Sequence, residues 1–360
     1  MIDMRPAGYV IGLLVTAFGV TMGLPMLVDY SAGNGHADVF AQSALLTIFI
    51  GGLTALSCAN GVNRNLSIQQ IFLLTTLVWV ALPIFGAIPF LYGATNATVT
   101  DAFFEAMSGL TTTGSTVFGG EDGARLQDLP PGMLLWRSML QWFGGVGIIV
   151  VAMVFLPELR VGGMQIFRSE AFDTSGKVLP RAAQIASRIS IVYVALTLLC
   201  AASYIGAGLS FFDAINHAMT TLATGGFSTR DASFAALPPG AAYVAVIFMI
   251  LASLPFVRFG QLLAGTAEPM WRDSQVRAFL FVLFSSVLAI AAMRAALEDT
   301  GFERVFRESL FNLTSIMTGT GYASANYELW GGFAVSVIFF LGLVGGCAGS
   351  TCCSAKIFRY

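Results

Sequence analysis

A motif that occurs three times constrains this chain more than any other feature. The first copy, residues 101–120, reads DAFFEAMSGLTTTGSTVFGG, and related stretches occupy residues 213–229 and 308–324. Aligned without gaps, each copy has an acid thirteen positions before a glycine and a hydroxyl residue seven positions after the acid. The acids are Asp101, Asp213 and Glu308, the hydroxyl residues are Ser108, Thr220 and Ser315, and the glycines are Gly114, Gly226 and Gly321. A spacing that repeats within one chain predicts a repeated structural unit.

Each motif copy lies between two long apolar segments. The sequence is 56% hydrophobic and only 11% charged, whereas ordinary soluble domains carry about 25% charged residues. Runs of about 20 apolar residues are long enough to cross a bilayer. We therefore predict membrane segments near residues 9–28, 41–58, 71–91, 133–156, 183–205, 241–263, 278–297 and 330–344.

The motif copies are too short to span a membrane, so each is predicted to form a short re-entrant helix and an extended return. Non-helical backbone at membrane depth is tolerated only where it is buried in protein or lines a water-filled cavity. The predicted fold is an all-α polytopic membrane protein of repeated helix–re-entrant pore loop–helix units around a central pore. Its parts are two N-terminal transmembrane helices in residues 1–70, a first pore unit at 71–156, a second at 183–263 and a third at 278–360.

The return segments have the chemistry of a cation pathway. A dehydrated cation needs oxygen atoms at close range, and backbone carbonyls supply them without burying a fixed charge. Glycine permits the positive φ angles that aim successive carbonyls inward, and threonine adds a hydroxyl oxygen. The predicted potassium-binding filter residues are Thr112, Thr113 and Gly114 in the first copy, Thr224, Gly225 and Gly226 in the second, and Gly319, Thr320 and Gly321 in the third. The acid of each copy is predicted to lie at the N-cap or in the first turn of its short helix.

The third unit ends in a run of small residues. Residues 330–344 are apolar, and residues 345–354 read GGCAGSTCCS. Glycines and small polar residues disfavour a continuous helix, so we predict a helix broken at mid-membrane depth, beneath the filter, that acts as a gate. The predicted gate residues are Gly345, Gly346, Gly349, Ser350 and Thr351. Close helix packing through small residues is the alternative reading.

Charge sets the predicted orientation. With the N-terminus in the cytoplasm, most Lys and Arg residues near the membrane segments lie on the cytoplasmic side, as the positive-inside rule requires. All three motif copies then enter from the outside. Arg137 and Arg258 lie near predicted helix ends, where long side chains reach the interface, although Arg258 has a pore-facing alternative.

The remaining composition argues against other classes of protein. A net charge of −2 implies no nucleic-acid partner. The five cysteines are an odd number, and we interpret them as small membrane-core residues rather than as a disulfide or a metal site. We find no nucleotide-binding loop, nucleophile–base arrangement or pair of catalytic carboxylates in the sequence, so we expect neither enzymatic activity nor a cofactor.

Several stretches together resemble the bacterial Trk/Ktr/HKT cation-transporter superfamily, and most closely its TrkH-like members. They are DAFFEAMSGLTTTG in the first copy, LQWFGGVGIIV at 140–150, VGGMQIFR at 161–168, ATGGFSTRDAS at 223–233 and GGCAGST at 345–351. The resemblance covers nearly the whole chain. It implies pore units around one pore, two extra N-terminal helices, one filter glycine per unit and a gating loop in the third unit.

The same resemblance carries expectations about function. It implies potassium uptake across the bacterial cytoplasmic (inner) membrane, with the potassium ion as the transported substrate. Serine in place of the first filter glycine goes with sodium in this family, so Gly114 favours potassium. The family also implies a homodimer and a cytoplasmic nucleotide-binding regulatory subunit.

Two departures from the family pattern bear on these expectations. The family has four pore units, whereas this sequence ends at Tyr360 after the third, so we expect the fourth unit to be absent and the 360-residue chain alone not to conduct selectively. Cys352, Cys353 and Ser354 replace a glycine-rich stretch of the family, which puts the flexibility of the gate in question. A cation-coupled secondary transporter and a truncated non-conducting membrane subunit stay open as alternatives.

Overall fold

The computed structural model describes residues 3–61, 67–119, 125–150, 178–263, 265 and 268–360. These residues are mainly helical, with two strands of two residues each as the only sheet among them, which confirms the predicted all-α class. The chain divides into two compact units, Met1–Gln141 and Trp142–Tyr360. The VGGMQIFR stretch at residues 161–168 lies outside the described residues, as do residues 151–156 of the predicted fourth membrane segment.

The first unit consists of apolar helices around the first motif copy. In chain order they are α1 (Arg5–Thr21), α2 (Gly23–Ala32), α3 (Ala37–Cys58), α4 (Ile68–Gly86), α5 (Ile88–Tyr92), α6 (Val99–Leu110) and the beginning of α7 (Pro131–Val150). Helices α1 and α3 pack closely because both have glycine at the contact. A Cβ atom added at Gly12 would overlap the backbone of Ala55, and small residues of this kind allow close approach of helices in membranes.

The second unit contains the other two motif copies. Its elements are α8 (Val178–Gly206), α9 (Phe211–Leu222), α10 (Pro239–Ala252), α11 (Phe256–Leu263), α12 (Glu268–Arg272), α13 (Ser274–Leu297), α14 (Phe302–Thr318), α15 (Gly332–Leu343), β1 (Val344–Gly345) and β2 (Ala355–Lys356). Helix α9 packs on α8, and α14 packs on α10 and α13. The strands β1 and β2 pair in parallel.

Long apolar helices are present at most of the predicted membrane segments. Among the described residues five stretches are long and apolar enough to cross a membrane, and a sixth if the bent pair α10–α11 is one span. The five stretches are Arg5–Ala32, Ala37–Cys58, Gln69–Tyr92, Ala186–Gly206 and Ser274–Leu297. The chain is therefore a multi-pass membrane protein.

The predicted membrane segment at 241–263 is not one continuous helix. Helix α10 ends at Ala252 and α11 begins at Phe256, and the two axes are bent by 93°. Pro255 lies in the break. Proline has no N–H to donate to the carbonyl four residues earlier, and its ring clashes with that carbonyl. The break leaves backbone carbonyls of α10 without helical partners.

Candidate ion filter and gate loop

The three predicted filter segments, residues 112–114, 224–226 and 319–321, share one backbone conformation. Each has two residues with positive φ, at the eleventh and thirteenth positions after the acid of the motif. The angles are 54° at Thr112, 49° at Thr224 and 71° at Gly319, then 80° at Gly114, 80° at Gly226 and 83° at Gly321. The gap-free alignment of the sequence therefore corresponds to a repeated geometry.

Each filter segment is also tied in the same way to its preceding helix. The residue between the two positive-φ positions donates its backbone N–H to the carbonyl of the recurring hydroxyl residue. The N···O distances are 2.9 Å from Thr113 to Ser108, 2.9 Å from Gly225 to Thr220 and 2.8 Å from Thr320 to Ser315. These bonds position the chain directly beyond the C-terminal ends of α6, α9 and α14.

Two of the positive φ angles are held against the intrinsic preference of the residue. Thr112 and Thr224 are β-branched, and such residues rarely adopt the left-handed region. The conformation costs about 1–3 kcal/mol and persists only where the surroundings enforce it. In the third copy the same position is Gly319, where an added Cβ atom would overlap the Sγ atom of Cys353.

The acids of the first two copies lie in the first turn of their helices, as predicted. Asp101 and Asp213 each donate a backbone N–H to the side chain of an N-cap residue, Thr98 at 3.3 Å and Ser210 at 3.0 Å. Hydrogen bonds from Thr98 hold the pKa of the Asp101 carboxyl below its ordinary value. Both carboxylates therefore complement the positive end of the helix dipole.

Asp213 is more strongly held than Asp101. Burial raises the pKa of the Asp213 carboxyl, but hydrogen bonds from Thr229 and Ser210 and the charge of Arg230 outweigh burial, so the pKa lies below its ordinary value. The Thr229 hydroxyl donates to Asp213 at 2.7 Å, and the Arg230 guanidinium lies 3.3 Å away. Asp213 thus ties the start of α9 to the chain that follows the second filter segment.

The prediction that Glu308 is an N-cap or first-turn acid is wrong. Helix α14 begins at Phe302, after the N-cap Gly301, so Glu308 lies in its second turn. Its carboxylate accepts hydrogen bonds from Arg294 at 2.9 Å and Arg304 at 2.8 Å. The helix starts earlier than predicted because residues 302–307 contain neither glycine nor proline to stop it. Glu308 pairs with two arginines instead of capping a helix.

The residue four positions after each acid forms a contact that the sequence analysis missed. These residues are Glu105, His217 and Asn312, and we call them struts because each connects its motif helix to the returning chain. A polar residue at this position in every copy was the available signal, but the three residues differ in chemical type.

The first strut is a buried charge. The Glu105 carboxylate accepts hydrogen bonds from the Arg137 Nε at 2.8 Å, the Thr116 hydroxyl at 2.9 Å and the Val117 N–H at 3.0 Å. Glu105 and Arg137 are 0% and 1% exposed. The predicted interfacial location of the Arg137 side chain is therefore wrong.

Arg258, the other arginine predicted near a helix end, pairs with Asp273 at 3.1 Å.

The second and third struts are neutral contacts. His217 lies 3.0 Å from the Ser228 hydroxyl through Nε2 and 2.8 Å from the Asp213 carbonyl through Nδ1. Asn312 donates to the Ser324 hydroxyl at 2.9 Å and accepts the Ser324 N–H at 3.1 Å. Each ties a motif helix to the chain just beyond its filter glycine.

The second and third filter segments lie against each other within the second unit. A Cβ atom added at Gly226 would overlap the carbonyl oxygen of Thr320. Thr224, Gly225 and Thr320 are buried. The two segments therefore approach backbone to backbone, as carbonyl-based ion coordination requires. The first segment lies in the other unit, where Thr112 is buried and Thr113 is exposed.

The predicted gate residues form a non-helical loop at residues 345–354, after α15 ends at Leu343. We call this stretch the gate loop. Its Cys347 N–H donates to the Ser253 carbonyl at 2.9 Å, and the Thr351 hydroxyl donates to the Ala252 carbonyl at 3.1 Å. In return, the Phe256 N–H donates to the Gly349 carbonyl at 3.0 Å. The gate loop therefore fills the break between α10 and α11.

Further contacts place the gate loop next to the third filter segment. The Cys353 thiol lies 3.8 Å from the carbonyl of Gly319. The loop is closed internally by a 2.6 Å hydrogen bond from the Ser350 hydroxyl to the Cys347 carbonyl. The Lys356 ammonium lies 3.4 Å from the Ser350 hydroxyl and also donates to the Cys352 carbonyl.

The glycines of the gate loop allow this packing. Gly345 and Gly346 are buried, and a Cβ atom at Gly345 would overlap the carbonyl of Cys353. Gly349 has a φ angle of 74°.

Within the described part of the chain, no group of three or more His, Cys, Asp or Glu residues is arranged to hold a metal ion.

Comparison with known proteins agrees with this geometry. Residues 36–360 match the family model TrkH, described as a cation transport protein. The Trk system potassium uptake protein TrkI of Halomonas elongata is 38% identical over 98% of this chain and 70% of its own length. The Trk system potassium uptake protein TrkH of Escherichia coli K12 is 36% identical over 97% of this chain and 72% of its own. The crystal structure of the potassium transporter TrkH from Vibrio parahaemolyticus matches 99% of this chain and 74% of its own, with 33% identity and a TM-score of 0.88. The chain belongs to the TrkH family of cation transport proteins.

Proposed function

We propose that this protein takes up potassium ions across the bacterial cytoplasmic membrane along a pathway of which the three filter segments form part. The observation that carries the proposal is the close backbone approach of the second and third segments at Gly226 and Thr320. In addition, the relatives named above are potassium uptake proteins. The nine filter residues include no carboxylate, so neutral oxygen dipoles would replace the hydration shell of the ion.

The motif helices support a cation at this position. Helices α6, α9 and α14 end at Leu110, Leu222 and Thr318, immediately before their filter segments. The C-terminal end of a helix carries a partial negative charge. Each such end would therefore lower the energy of a cation bound at the filter segment that follows it, without a fixed negative charge.

The gate loop would control access to the filter. It contacts the third segment through Cys353 and Gly319 and is anchored on the break between α10 and α11 through Ser253 and Ala252. Releasing the loop requires exchanging these hydrogen bonds for others. The loop in its present position would be the closed state.

The topology and partners are part of the same proposal. The positive charges near the membrane segments favour a cytoplasmic N-terminus, which a reporter fused there would test by its activity on one side of the membrane. The resemblance to the family favours a homodimer and a cytoplasmic nucleotide-binding regulatory subunit. Light scattering of the purified protein would measure the first, and co-purification from native membranes would test the second.

Uptake measurements test the proposed function. The gene that carries these residues would be expressed in a host without its own potassium uptake, and growth at low potassium and rubidium-86 entry would be recorded. Gly226→Ala should reduce uptake by about tenfold or more, because alanine at positive φ costs roughly 1–2 kcal/mol and its methyl group overlaps the Thr320 carbonyl. The matched control is Gly52→Ala, since open space surrounds Gly52 in α3. The control should transport normally.

The same assay tests the gate. Thr351→Val removes the hydroxyl bond to Ala252 while keeping the shape of the side chain, so uptake should rise by about two- to fivefold, as one weakened hydrogen bond predicts. Protein present in the membrane without any uptake would refute the proposal and favour a non-conducting subunit. Uptake that requires a sodium or proton gradient would favour the coupled transporter instead.

A further inference from the structure

We infer that Tyr322 is a positioning residue of the filter, whose hydroxyl sets the spacing between the second and third filter segments and thereby the ion selectivity. The inference rests on the proposed function. Tyr322 directly follows Gly321 in the chain and is 1% exposed. Its side chain leaves the third segment and reaches the helix that precedes the second one.

The hydroxyl of Tyr322 is bound entirely by α9. It lies 2.5 Å from the Thr220 hydroxyl and 3.2 Å from the Thr221 hydroxyl, and it donates toward the His217 carbonyl at 3.3 Å. Thr221 is held in turn by the Tyr204 hydroxyl at 2.8 Å. These residues form a buried hydrogen-bond network between two motif copies that are about 100 residues apart in the chain.

The main chain of Tyr322 is held by its own motif copy, the third. The Ser315 hydroxyl of α14 donates to the Tyr322 carbonyl at 2.8 Å. The first copy has the equivalent bond, from the Ser108 hydroxyl to the Ser115 carbonyl at 2.5 Å. In the second copy the corresponding hydroxyl, Thr220, is bound to Tyr322. One residue therefore connects α14, through its backbone, to α9, through its side chain.

The aromatic ring of Tyr322 is fixed independently of its hydroxyl. Its centroid lies 4.5 Å from that of Phe234 and 6.4 Å from that of Phe311. Phenylalanine would keep these contacts, so Tyr322→Phe isolates the hydroxyl with little risk to folding.

The position of this link explains why it bears on selectivity. The two segments that it joins are those in closest backbone approach, at Gly226 and Thr320. Potassium and sodium are distinguished by how carbonyl oxygens are spaced and how freely they move around the ion. Removing a hydrogen bond that joins the two segments lets the carbonyls relax around a smaller ion.

The test compares ion selectivity in variants of the transporter expressed from its gene. Tyr322→Phe and Thr220→Val should each lower the potassium-to-sodium uptake ratio by about fivefold, the factor expected for one typical buried hydrogen bond. The KM for potassium should rise while the maximal rate stays within about twofold. Thr220→Ser keeps the hydroxyl and should restore the ratio. The matched control is Tyr243→Phe, whose hydroxyl binds Glu303 in the first turn of α14, at the end of that helix away from the filter segment.

A double variant gives the decisive outcome. Because the bond that Thr220→Val removes is among those that Tyr322→Phe removes, combining them should lower the ratio no further than Tyr322→Phe alone. Unchanged selectivity in Tyr322→Phe, with normal potassium uptake, would overturn the inference and leave the proposed function standing. A lower maximal rate with unchanged selectivity would show a purely structural role and also overturn it. Absence of uptake by the unmodified protein would instead refute the proposed function.

Discussion

The first motif copy and the two later copies hold the same backbone by different chemistry. The first uses a buried charge, Glu105, paired with Arg137, whereas the second and third use His217 and Asn312 in neutral hydrogen bonds. The filter φ angles of the three copies nevertheless agree closely. The three copies therefore share a backbone geometry and a polar contact at one position. The type of side chain that makes this contact differs from copy to copy.

The difference has an energetic consequence. Removing one member of a buried ion pair leaves an uncompensated charge in a medium that solvates it poorly. Removing one member of a neutral pair leaves only an unpaired donor or acceptor. The first copy should therefore be the most sensitive of the three to loss of its partner.

The largest effect is expected for Arg137→Met. This substitution leaves the buried Glu105 carboxylate without the Arg137 guanidinium. The free energy of unfolding should therefore fall by about 3–5 kcal/mol, measured by denaturant unfolding of the purified protein. The matched control is Arg272→Met, which removes a solvent-exposed pair with Glu268 and should cost under about 1 kcal/mol. Adding Glu105→Gln to Arg137→Met should recover part of the loss. Equal stability of the Arg137 and Arg272 variants would contradict the assignment of a buried charge.

A smaller effect is expected for Asn312→Ala. It leaves the Ser324 N–H without its acceptor and the Ser324 hydroxyl without its donor, a loss of about 1–3 kcal/mol in the same unfolding experiment. Asn326→Ala is a suitable control, because Asn326 is exposed and its side chain accepts from the nearby Glu328 N–H. If Asn312→Ala destabilised the protein as much as Arg137→Met, the distinction between charged and neutral struts would be lost.

The smallest effect on stability is expected for Asp213→Asn, and its size should depend on pH. The folded-state pKa of Asp213 is lower than the unfolded value of about 3.9. The resulting stability is therefore fully present above that unfolded value and is lost as pH falls through the folded pKa. Thermal unfolding should show Asp213→Asn less stable than the unmodified protein at neutral pH, with the gap closing below about pH 4. A gap that is constant across this range would show that the carboxylate charge contributes nothing.

The repeated spacing predicted more of the site than any other part of the sequence. The thirteen-residue interval located Gly114, Gly226 and Gly321, because positive φ at a tight return is a local requirement that glycine meets. The same logic did not anticipate positive φ at Thr112 and Thr224, where packing overrides the preference of a β-branched residue.

Features that depend on contacts between residues far apart in the chain could not be predicted from the sequence. The partnership of Tyr322 with Thr220 joins residues far apart in the chain, and no local pattern indicates it. The burial of Arg137 follows from Glu105 lying opposite, which spacing alone does not show. Pro255, by contrast, was a local signal for the break after α10, and the segment was nevertheless predicted as one helix.

The break between α10 and α11 gives the gate loop an unusual thermodynamic property. In an unbroken helix the Ala252 carbonyl would accept the Phe256 N–H, four residues later. Here those two groups bind Thr351 and Gly349 of the loop instead. Release of the loop would free one donor and one acceptor that are natural partners of each other. Re-forming the helical bond between them would make one hydrogen bond where the loop makes two, and Pro255 opposes a straight helix at this point. The bent arrangement with the loop in place is therefore favoured in energy, and a stimulus that opens the loop must supply the difference.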